Sequence, residues 1–279
     1  MTANIKITHH PKKSLGQNYL HDENICRNIV SAFDVKKDDL VIEIGAGKGA
    51  LTKYLTELSK NLIVIELDKN NCEILRETFP KLKVINEDVL NVNFEELLNS
   101  FKKKQSKLRI IGNIPYNITS PILFKLIEYR QVIHDAQLMI QEEVAKRLTA
   151  KPDTKDYGIL SVFTQVYTMP KLLFKVSKNC FYPKPKVDSR VIKLEFTDAQ
   201  ISKVISEDFF RKFVRGAFGT RRKTLRNSLK NIGIEVNQLK IDFDFNRRAE
   251  NLSVMEFIEL SNVIYNRTLS FLRKQESES

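Results

Sequence analysis

Short apolar runs alternate with amphipathic stretches along the first two thirds of the chain. Residues 40–44 (LVIEI) have the pattern of a buried strand, and apolar residues recur at helical spacing over 50–58. The same order is repeated, with strands predicted at 62–67, 83–86, 108–112 and 136–140, and helices at 69–79, 94–103, 120–129 and 142–149. Strands that alternate with helices predict a parallel, doubly wound α/β sheet with helices on both faces.

The pattern changes towards the C-terminus. Two further strands are predicted at 172–176 and 190–196, on either side of the proline-containing loop 181–186, and an antiparallel pair at one sheet edge would accommodate them. After about residue 198, helical periodicity dominates, over 208–217, 223–229 and 254–269. We therefore expect an α/β domain over residues 1–197 and a small helical domain over residues 198–279.

Charge points to a polyanionic partner. The 279 residues include 46 Lys and Arg against 34 Asp and Glu, a formal net charge of +12. Segment 209–230 alone carries eight basic residues and no acidic one. Such a surface attracts nucleic acid or an anionic membrane, although a lysine-rich proteome gives the same balance.

Cysteine usage and hydropathy exclude several further classes of protein. The three cysteines form no CxxC pair, so neither a disulfide framework nor a metal site is expected, and a reducing compartment is favoured. No apolar run approaches the roughly 20 residues of a membrane span, and the N-terminus lacks the apolar region of a secretory signal. The expected location is the cytoplasm, with no membrane partner.

A glycine-rich turn suggests a ligand site. Gly45, Gly47 and Gly49 follow the first strand and open the first helix. An ordinary tight turn has the same composition, but this placement favours a nucleotide-like ligand close to the backbone. Glu66 ends the second strand, where a carboxylate can accept hydrogen bonds from both ribose hydroxyls of a ligand. Asp88 follows the third strand, where a carboxylate can accept a hydrogen bond from the exocyclic amine of an adenine. These features fit a dinucleotide or S-adenosylmethionine.

The end of the fourth strand distinguishes between the two ligands. It reads GNIPYN, and Asn, X, Pro and an aromatic residue at a strand end are typical of amino-group methyltransferases. The adenine amine is a poor nucleophile because its lone pair is delocalised into the ring. The Asn113 side-chain oxygen and the Ile114 carbonyl would accept its two hydrogens and direct the lone pair at a methyl group. Pro115 fixes the turn, and Tyr116 offers a π-face to the base.

The sequence resembles the ribosomal RNA adenine N6,N6-dimethyltransferases, most closely the small-subunit, kasugamycin-sensitivity branch. The resemblance covers nearly the whole chain and rests on ordered motifs: KKSLGQNYL, EIGAGKGALT, VIELD, NEDVL, NIPYNITSPILF, FYPKPKVDSRVIKL and AFGTRRKTLRNSL. It implies a Rossmann-like, S-adenosylmethionine-dependent methyltransferase domain with a small helical domain. It also implies dimethylation of two adjacent adenosines near the 3′ end of small-subunit rRNA. As partner we expect this rRNA within a pre-ribosomal small subunit, and we expect the protein to be a monomer.

The resemblance also implies roles for individual residues. Cofactor contacts are expected from Gln17, Asn18, Leu20, Gly45, Gly47, Glu66, Asp88, Val89 and Asn113. Tyr116 and Phe181 would sandwich the flipped target base, although Phe181 can also be read as a hydrophobic anchor for the following strand. Two departures from the family pattern are small: Tyr19 stands where phenylalanine is common, and Ala46 where proline is common.

The basic segment is expected to bind RNA through Arg221, Arg222, Lys223 and Arg226. Two alternatives remain open at this stage. One is the same chemistry on large-subunit rRNA, as in macrolide-resistance methyltransferases. The long AFGTRRKTLRNSL segment argues against this alternative. The other is a non-catalytic RNA-binding factor. The complete set of site residues argues against this alternative.

Overall fold

The computed structural model describes residues 11–12, 15–101, 107–220 and 222–277, with residues 271–277 described as backbone only. Within these ranges the strands are β1 (Tyr19–Leu20), β2 (Leu40–Ile44), β3 (Asn61–Glu66), β4 (Lys83–Asn86), β5 (Leu108–Asn113), β6 (Ile133–Gln141), β7 (Thr168–Val176), β8 (Phe181–Tyr182) and β9 (Ser189–Phe196). The helices are α1 (Glu23–Phe33), α2 (Thr52–Leu58), α3 (Lys69–Thr78), α4 (Phe94–Ser100), α5 (Thr119–Glu128), α6 (Glu142–Leu148), α7 (Ile159–Tyr167), α8 (Glu207–Phe218), α9 (Leu225–Lys230) and α10 (Val254–Ser277).

Seven of the described strands form one sheet in the order β4-β3-β2-β5-β6-β9-β7. Strands β2 to β6 pair in parallel, while β9 runs antiparallel to β6, and β7 is the edge strand beside β9. After β2 the chain adds β3 and β4 along one edge of that strand, and it then returns to add β5 and β6 along the other edge. The strand order therefore reverses between β2 and β5, and ligands bind outside the carboxyl ends of strands at such a switch point.

Most predicted elements are confirmed, and their ends differ by a few residues. Strands β2 and β4 have the predicted bounds, whereas β6 and β7 begin earlier than predicted. All five residues of β2 are buried, as the continuous apolar run predicts for a strand covered on both faces. The predicted helix over 94–103 ends as α4 at Ser100, and residues 102–106 lie outside the described ranges.

Three features have no counterpart in the sequence analysis: α1, α7 and the two-stranded sheet of β1 with β8. Helix α7 reads ILSVFTQVY, which is rich in residues that favour strands; six of its nine residues are buried, and tertiary packing overrides the local preference. Strands β1 and β8 have two residues each and are joined by antiparallel pairing, Tyr19 with Tyr182 and Leu20 with Phe181. A pairing between residues so far apart in sequence leaves no local pattern.

The described chain forms two compact units, residues 1–145 with 171–195, and residues 146–170 with 196–279. The chain passes from one unit to the other three times, and the predicted boundary at 197/198 lies two residues after the third passage, at 195/196. The prediction assigned 146–170 to the α/β domain, but this segment packs with the helical residues: the rings of Phe163 and Phe210 lie 6.2 Å apart, and Asp153 N donates to Glu250 O at 2.9 Å. None of the described helices combines the length and the apolar character needed to cross a membrane.

Candidate functional site

A cavity of about 180 Å³ opens at the carboxyl ends of β2, β3 and β5, at the switch point of the sheet. Its wall includes every residue predicted to contact a cofactor: Gln17, Asn18, Leu20, Gly45, Gly47, Glu66, Asp88, Val89 and Asn113. Ile114 and Tyr116 also line it. The structure thus gathers residues spread over a hundred positions of sequence into one concave surface.

The glycine-rich turn adopts the backbone that its composition predicts. Gly45, Gly47 and Gly49 have φ angles of 68°, 57° and 89°, in the region that favours glycine. Gly45 N donates to Ile65 O at 2.9 Å, which binds the turn to the end of β3. A Cβ on Gly47 would lie 2.9 Å from Cδ1 of Tyr19, so glycine at this position also leaves room for the Tyr19 ring.

The Glu66 carboxylate is buried and held by backbone amides. Gly47 N donates to Oε2 and Asp68 N donates to Oε1, each at 2.8 Å. Burial raises the pKa of Glu66, and these two amide hydrogen bonds oppose the rise. The glycine-rich turn and the end of β3 therefore fix a carboxylate on the cavity wall, and such a group can accept hydrogen bonds from hydroxyls.

The sequence analysis missed a second buried carboxyl group on the same wall. Glu43 lies within β2, accepts a hydrogen bond from Thr52 Oγ1 at 2.7 Å, and is 1% exposed. Burial raises the pKa of Glu43 to about 8, with a smaller contribution from the charge of Glu66. The available signal was an acidic residue inside an otherwise apolar strand directly before the glycines.

The sequence analysis also missed Asn71. Its side chain lies in the cavity wall beside Glu66, and Oδ1 accepts a hydrogen bond from the Tyr19 hydroxyl at 3.3 Å. Its Nδ2 atom is buried and makes no hydrogen bond of standard geometry with the described residues. A buried amide donor normally has a partner, so this atom fits a cavity that receives a polar ligand.

The first turn of α3 fixes the position of Gln17. Asp68 caps this helix and accepts hydrogen bonds from Gln17 Nε2 and Lys12 Nζ, each at 2.8 Å. The segment before β1 is therefore fastened beside the carboxylate of Glu66.

Asn113 is oriented by the chain segment that precedes β1. Its Nδ2 donates to Asn18 O at 3.0 Å, which leaves Oδ1 as the acceptor end of the side chain. Ile114 N donates to Met139 O at 3.0 Å, so the backbone after β5 is fixed by the neighbouring strand β6. These contacts hold both groups that were predicted to receive an amine.

The two aromatic residues predicted to sandwich a base have different surroundings. Tyr116 lines the cavity, and its hydroxyl shares a 2.7 Å hydrogen bond with Oγ of the buried Ser189. Phe181 is 3% exposed, packs in the apolar cluster with Leu20 and Val176, and is absent from the cavity wall. Its part in a base sandwich stays a prediction.

The predicted RNA-binding residues lie in and after the connection from α8 to α9. Arg222 and Lys223 are exposed, and Arg226 is half-buried. Arg221 lies outside the described residues. The arrangement leaves at least two cationic side chains accessible on the helical unit.

Comparison with known proteins gives consistent matches over most of the chain. A family model described as ribosomal RNA adenine dimethylase matches residues 8–266. The chain is 48% identical over 257 residues to the ribosomal RNA small subunit methyltransferase A of Chlorobium chlorochromatii (strain CaD3), covering 91% of this chain and 93% of that protein. It is 43% identical to the protein of the same name from Francisella tularensis subsp. novicida (strain U112), covering 91% and 97%.

Solved structures show the same likeness. A dimethyladenosine transferase from Plasmodium falciparum superposes with a TM-score of 0.70 at 27% identity, covering 92% of this chain and 98% of that one. The 23S rRNA methyltransferase ErmE superposes with a TM-score of 0.63, covering 88% and 99%, and at 23% identity it supports the fold alone.

Proposed function

Because the chain belongs to the ribosomal RNA adenine dimethylase family, we propose that it dimethylates N6 of two adjacent adenosines near the 3′ end of small-subunit rRNA, with S-adenosylmethionine as methyl donor. The fold is that of a class I methyltransferase with a helical C-terminal part, and the protein is an rRNA adenine dimethyltransferase. The relatives at 43–48% identity are named for the small subunit, which favours that substrate over large-subunit rRNA.

The cavity residues fit S-adenosylmethionine. The Glu66 carboxylate can accept from the ribose hydroxyls, and the buried Nδ2 of Asn71 can donate to an oxygen on the same side. Asp88 and Val89 line the cavity where the adenine would lie, and Gln17 and Asn18 also line it. When bound, S-adenosylmethionine supplies an electrophilic methyl group.

One observation carries the assignment of chemistry: the Asn113 carboxamide is held through Nδ2, so that Oδ1 is free to accept a hydrogen bond from the substrate amine. A second acceptor is the Ile114 carbonyl. In the first transfer they would hold both amine hydrogens and direct the nitrogen lone pair, and in the second they would hold the one hydrogen that remains. Each transfer would replace one amine hydrogen by a methyl group, with the proton released to solvent and S-adenosylhomocysteine left as the second product. The chain contributes alignment and exclusion of water, and this chemistry needs no strong base in the cavity.

The reaction and its substrate can be tested together. The protein is incubated with labelled S-adenosylmethionine and unmethylated small subunits, and nucleosides from both rRNAs are analysed. We expect N6,N6-dimethyladenosine at two adjacent positions near the 3′ end of the small-subunit rRNA. Transfer only to free large-subunit RNA would contradict the substrate assignment. No transfer, with the cofactor bound, would contradict the enzymatic assignment and favour a binding factor. The monomeric state and the cytoplasmic location stay predictions.

A further inference from the structure

An exposed aromatic side chain lies next to the cavity and has no part in the site described above. Tyr182 is 64% exposed, whereas its neighbour Phe181 is 3% exposed. Single exposed rings are common on protein surfaces, so the meaning of this one depends on where it lies and on the charges around it.

The pairing of β1 with β8 fixes where this ring lies. Tyr182 is directly opposite Tyr19 in the antiparallel pair, and residues opposite each other project from the same side of a sheet. Both residues of β1 line the cavity, so β8 is paired with a cavity-lining strand and Tyr182 lies at the edge of the cavity, opposite Tyr19. Leu20 and Phe181 occupy the other side and are buried.

Buried residues on both sides of Tyr182 hold the segment that carries it. Phe181 and Pro185 are buried, while Tyr182, Lys184 and Lys186 are exposed. Two buried residues within five positions restrict the backbone between them, so the exposed side chains project from a supported segment. This arrangement presents a ring and two ammonium groups to solvent.

The charge around the ring indicates an anionic partner. Residues 181–187 contain two lysines and no acidic residue. On the cavity side, Nζ of Lys48 lies 4.9 Å from the centroid of the Tyr19 ring. Aromatic rings interleaved with cations are the pattern with which proteins bind single-stranded nucleic acid, because bases stack on the rings and phosphates contact the cations.

We propose that Tyr182 stacks on the base of a nucleotide next to the target adenosine, and that Lys184 and Lys186 contact the flanking phosphates. This inference rests on the proposed function. A target adenosine that leaves its stack to enter the cavity exposes the faces of its neighbours. A ring at the cavity edge replaces the lost stacking, and it does so for any base, since every base has a π-face.

The chain contains no tryptophan, which permits a direct test. The Tyr182→Trp variant has one tryptophan, whose fluorescence is quenched when a base stacks on it. We expect quenching on addition of an RNA fragment that carries the 3′-terminal target segment, and equally with small subunits. The matched control is Leu58→Trp, at an apolar residue 43% exposed at the end of α2, which should show no such quenching. Quenching by subunits but not by the RNA fragment would assign the surface to a ribosomal protein and overturn the proposal.

Kinetics separate this inference from the proposed function. Relative to the wild-type protein, Tyr182→Ala should raise the KM for RNA at least about fivefold, the loss expected from one base stack, with kcat unchanged. Tyr182→Phe should retain the wild-type KM, and the affinity for S-adenosylhomocysteine, measured by calorimetry, should be the same in all three proteins. An unchanged KM in Tyr182→Ala, in an assay where the wild-type protein methylates, overturns the stacking role alone. An inactive wild-type protein overturns the proposed function instead.

Discussion

Two carboxyl groups, Glu43 and Glu66, are buried in one cavity wall, and burial raises the pKa of both. They differ in their partners. Glu66 accepts two backbone hydrogen bonds that favour its charged form, whereas Glu43 accepts one from the Thr52 hydroxyl. Glu66, the group proposed to bind the ribose hydroxyls, is therefore the one whose charge the backbone hydrogen bonds favour, whereas ionisation of Glu43 costs stability.

The Glu43→Gln substitution tests this cost. The pKa of Glu43 is about 8 in the folded protein, so between its ordinary value and pH 8 the folded state retains a proton that the unfolded state has lost. The free energy of unfolding of the wild-type protein should therefore fall as pH rises through this window, and Gln should remove that fall. At pH 8 we expect the variant to gain on the order of a few kcal/mol, with little difference at pH 4.5.

Urea unfolding at both pH values measures this difference. The control is Glu57→Gln, at an exposed glutamate on α2, which should change the stability little at either pH. A Glu43→Gln protein that is less stable than the wild type at pH 8 would contradict the burial argument.

Asn113 carries the chemical prediction at the residue scale. Its Oδ1 is the acceptor left over by the bond from Nδ2 to Asn18 O, so Asn113→Ala removes one of two groups that hold the amine. We expect the single-turnover rate of methyl transfer to fall by about a hundredfold or more, as when one oriented polar group of an active site is removed. Affinity for S-adenosylhomocysteine, measured by calorimetry, should stay within a few-fold. A fully active variant would remove Asn113 from the mechanism.

Residue types at strand ends were the most informative part of the sequence. The positions of Glu66, Asp88 and Asn113 followed from the rule that carboxyl ends of parallel strands share one edge. Asn71 could not be found in that way, because it does not end a strand and its place depends on how α3 packs beside Glu66. The burial of Phe181 could not be found either, since it depends on a pairing with Leu20 across most of the chain.

At the scale of elements, the turn from β2 to α2 is the most constrained connection in the site. Gly49 combines a φ of 89° with a close approach to α3: a Cβ there would lie 2.9 Å from Cε2 of Phe79 and 3.3 Å from Cδ2 of Leu75. The turn is thus shaped both by its own backbone and by the packing of the next helix.

The Gly49→Ala substitution should therefore destabilise the protein by about 2 kcal/mol, because a side chain at positive φ is strained and the ring must move. Thermal or urea unfolding measures the loss. The matched control is Gly158→Ala, where the backbone is extended and a Cβ would meet no atom within 4 Å, and its loss should be clearly smaller. Equal losses in the two variants would show that the approach of α3 does not restrict this turn.

The predictability of each element depended on how local its cause is. Strands β2 and β4 were predicted with their bounds because their apolar residues and flanking turns lie together in sequence. Helix α7 was missed because its composition favours a strand, and tertiary packing overrides that local preference. The same limit explains why the segment 146–170 was assigned to the α/β domain, since its partners Phe210 and Glu250 come much later in the chain.

At the scale of the whole molecule, the net charge of +12 predicts a strong salt dependence for the binding of small subunits. The basic connection between α8 and α9 is expected to supply part of it through the exposed Arg222 and Lys223. Each phosphate contact that is lost lowers the slope of log K against log salt concentration by about one. The double variant Arg222→Gln with Lys223→Gln should therefore bind more weakly and with a slope reduced by about two.

A charge-matched control decides whether position or total charge matters. Lys37→Gln with Lys60→Gln removes two exposed cations before β2 and β3, at the ends of the strands opposite the cavity. If the α8–α9 connection contacts RNA, only the first double variant changes the slope, and neither variant changes the affinity for S-adenosylhomocysteine. Equal reductions in both would mean that the attraction is spread over the molecule, and that Arg222 and Lys223 do not orient the subunit on the enzyme.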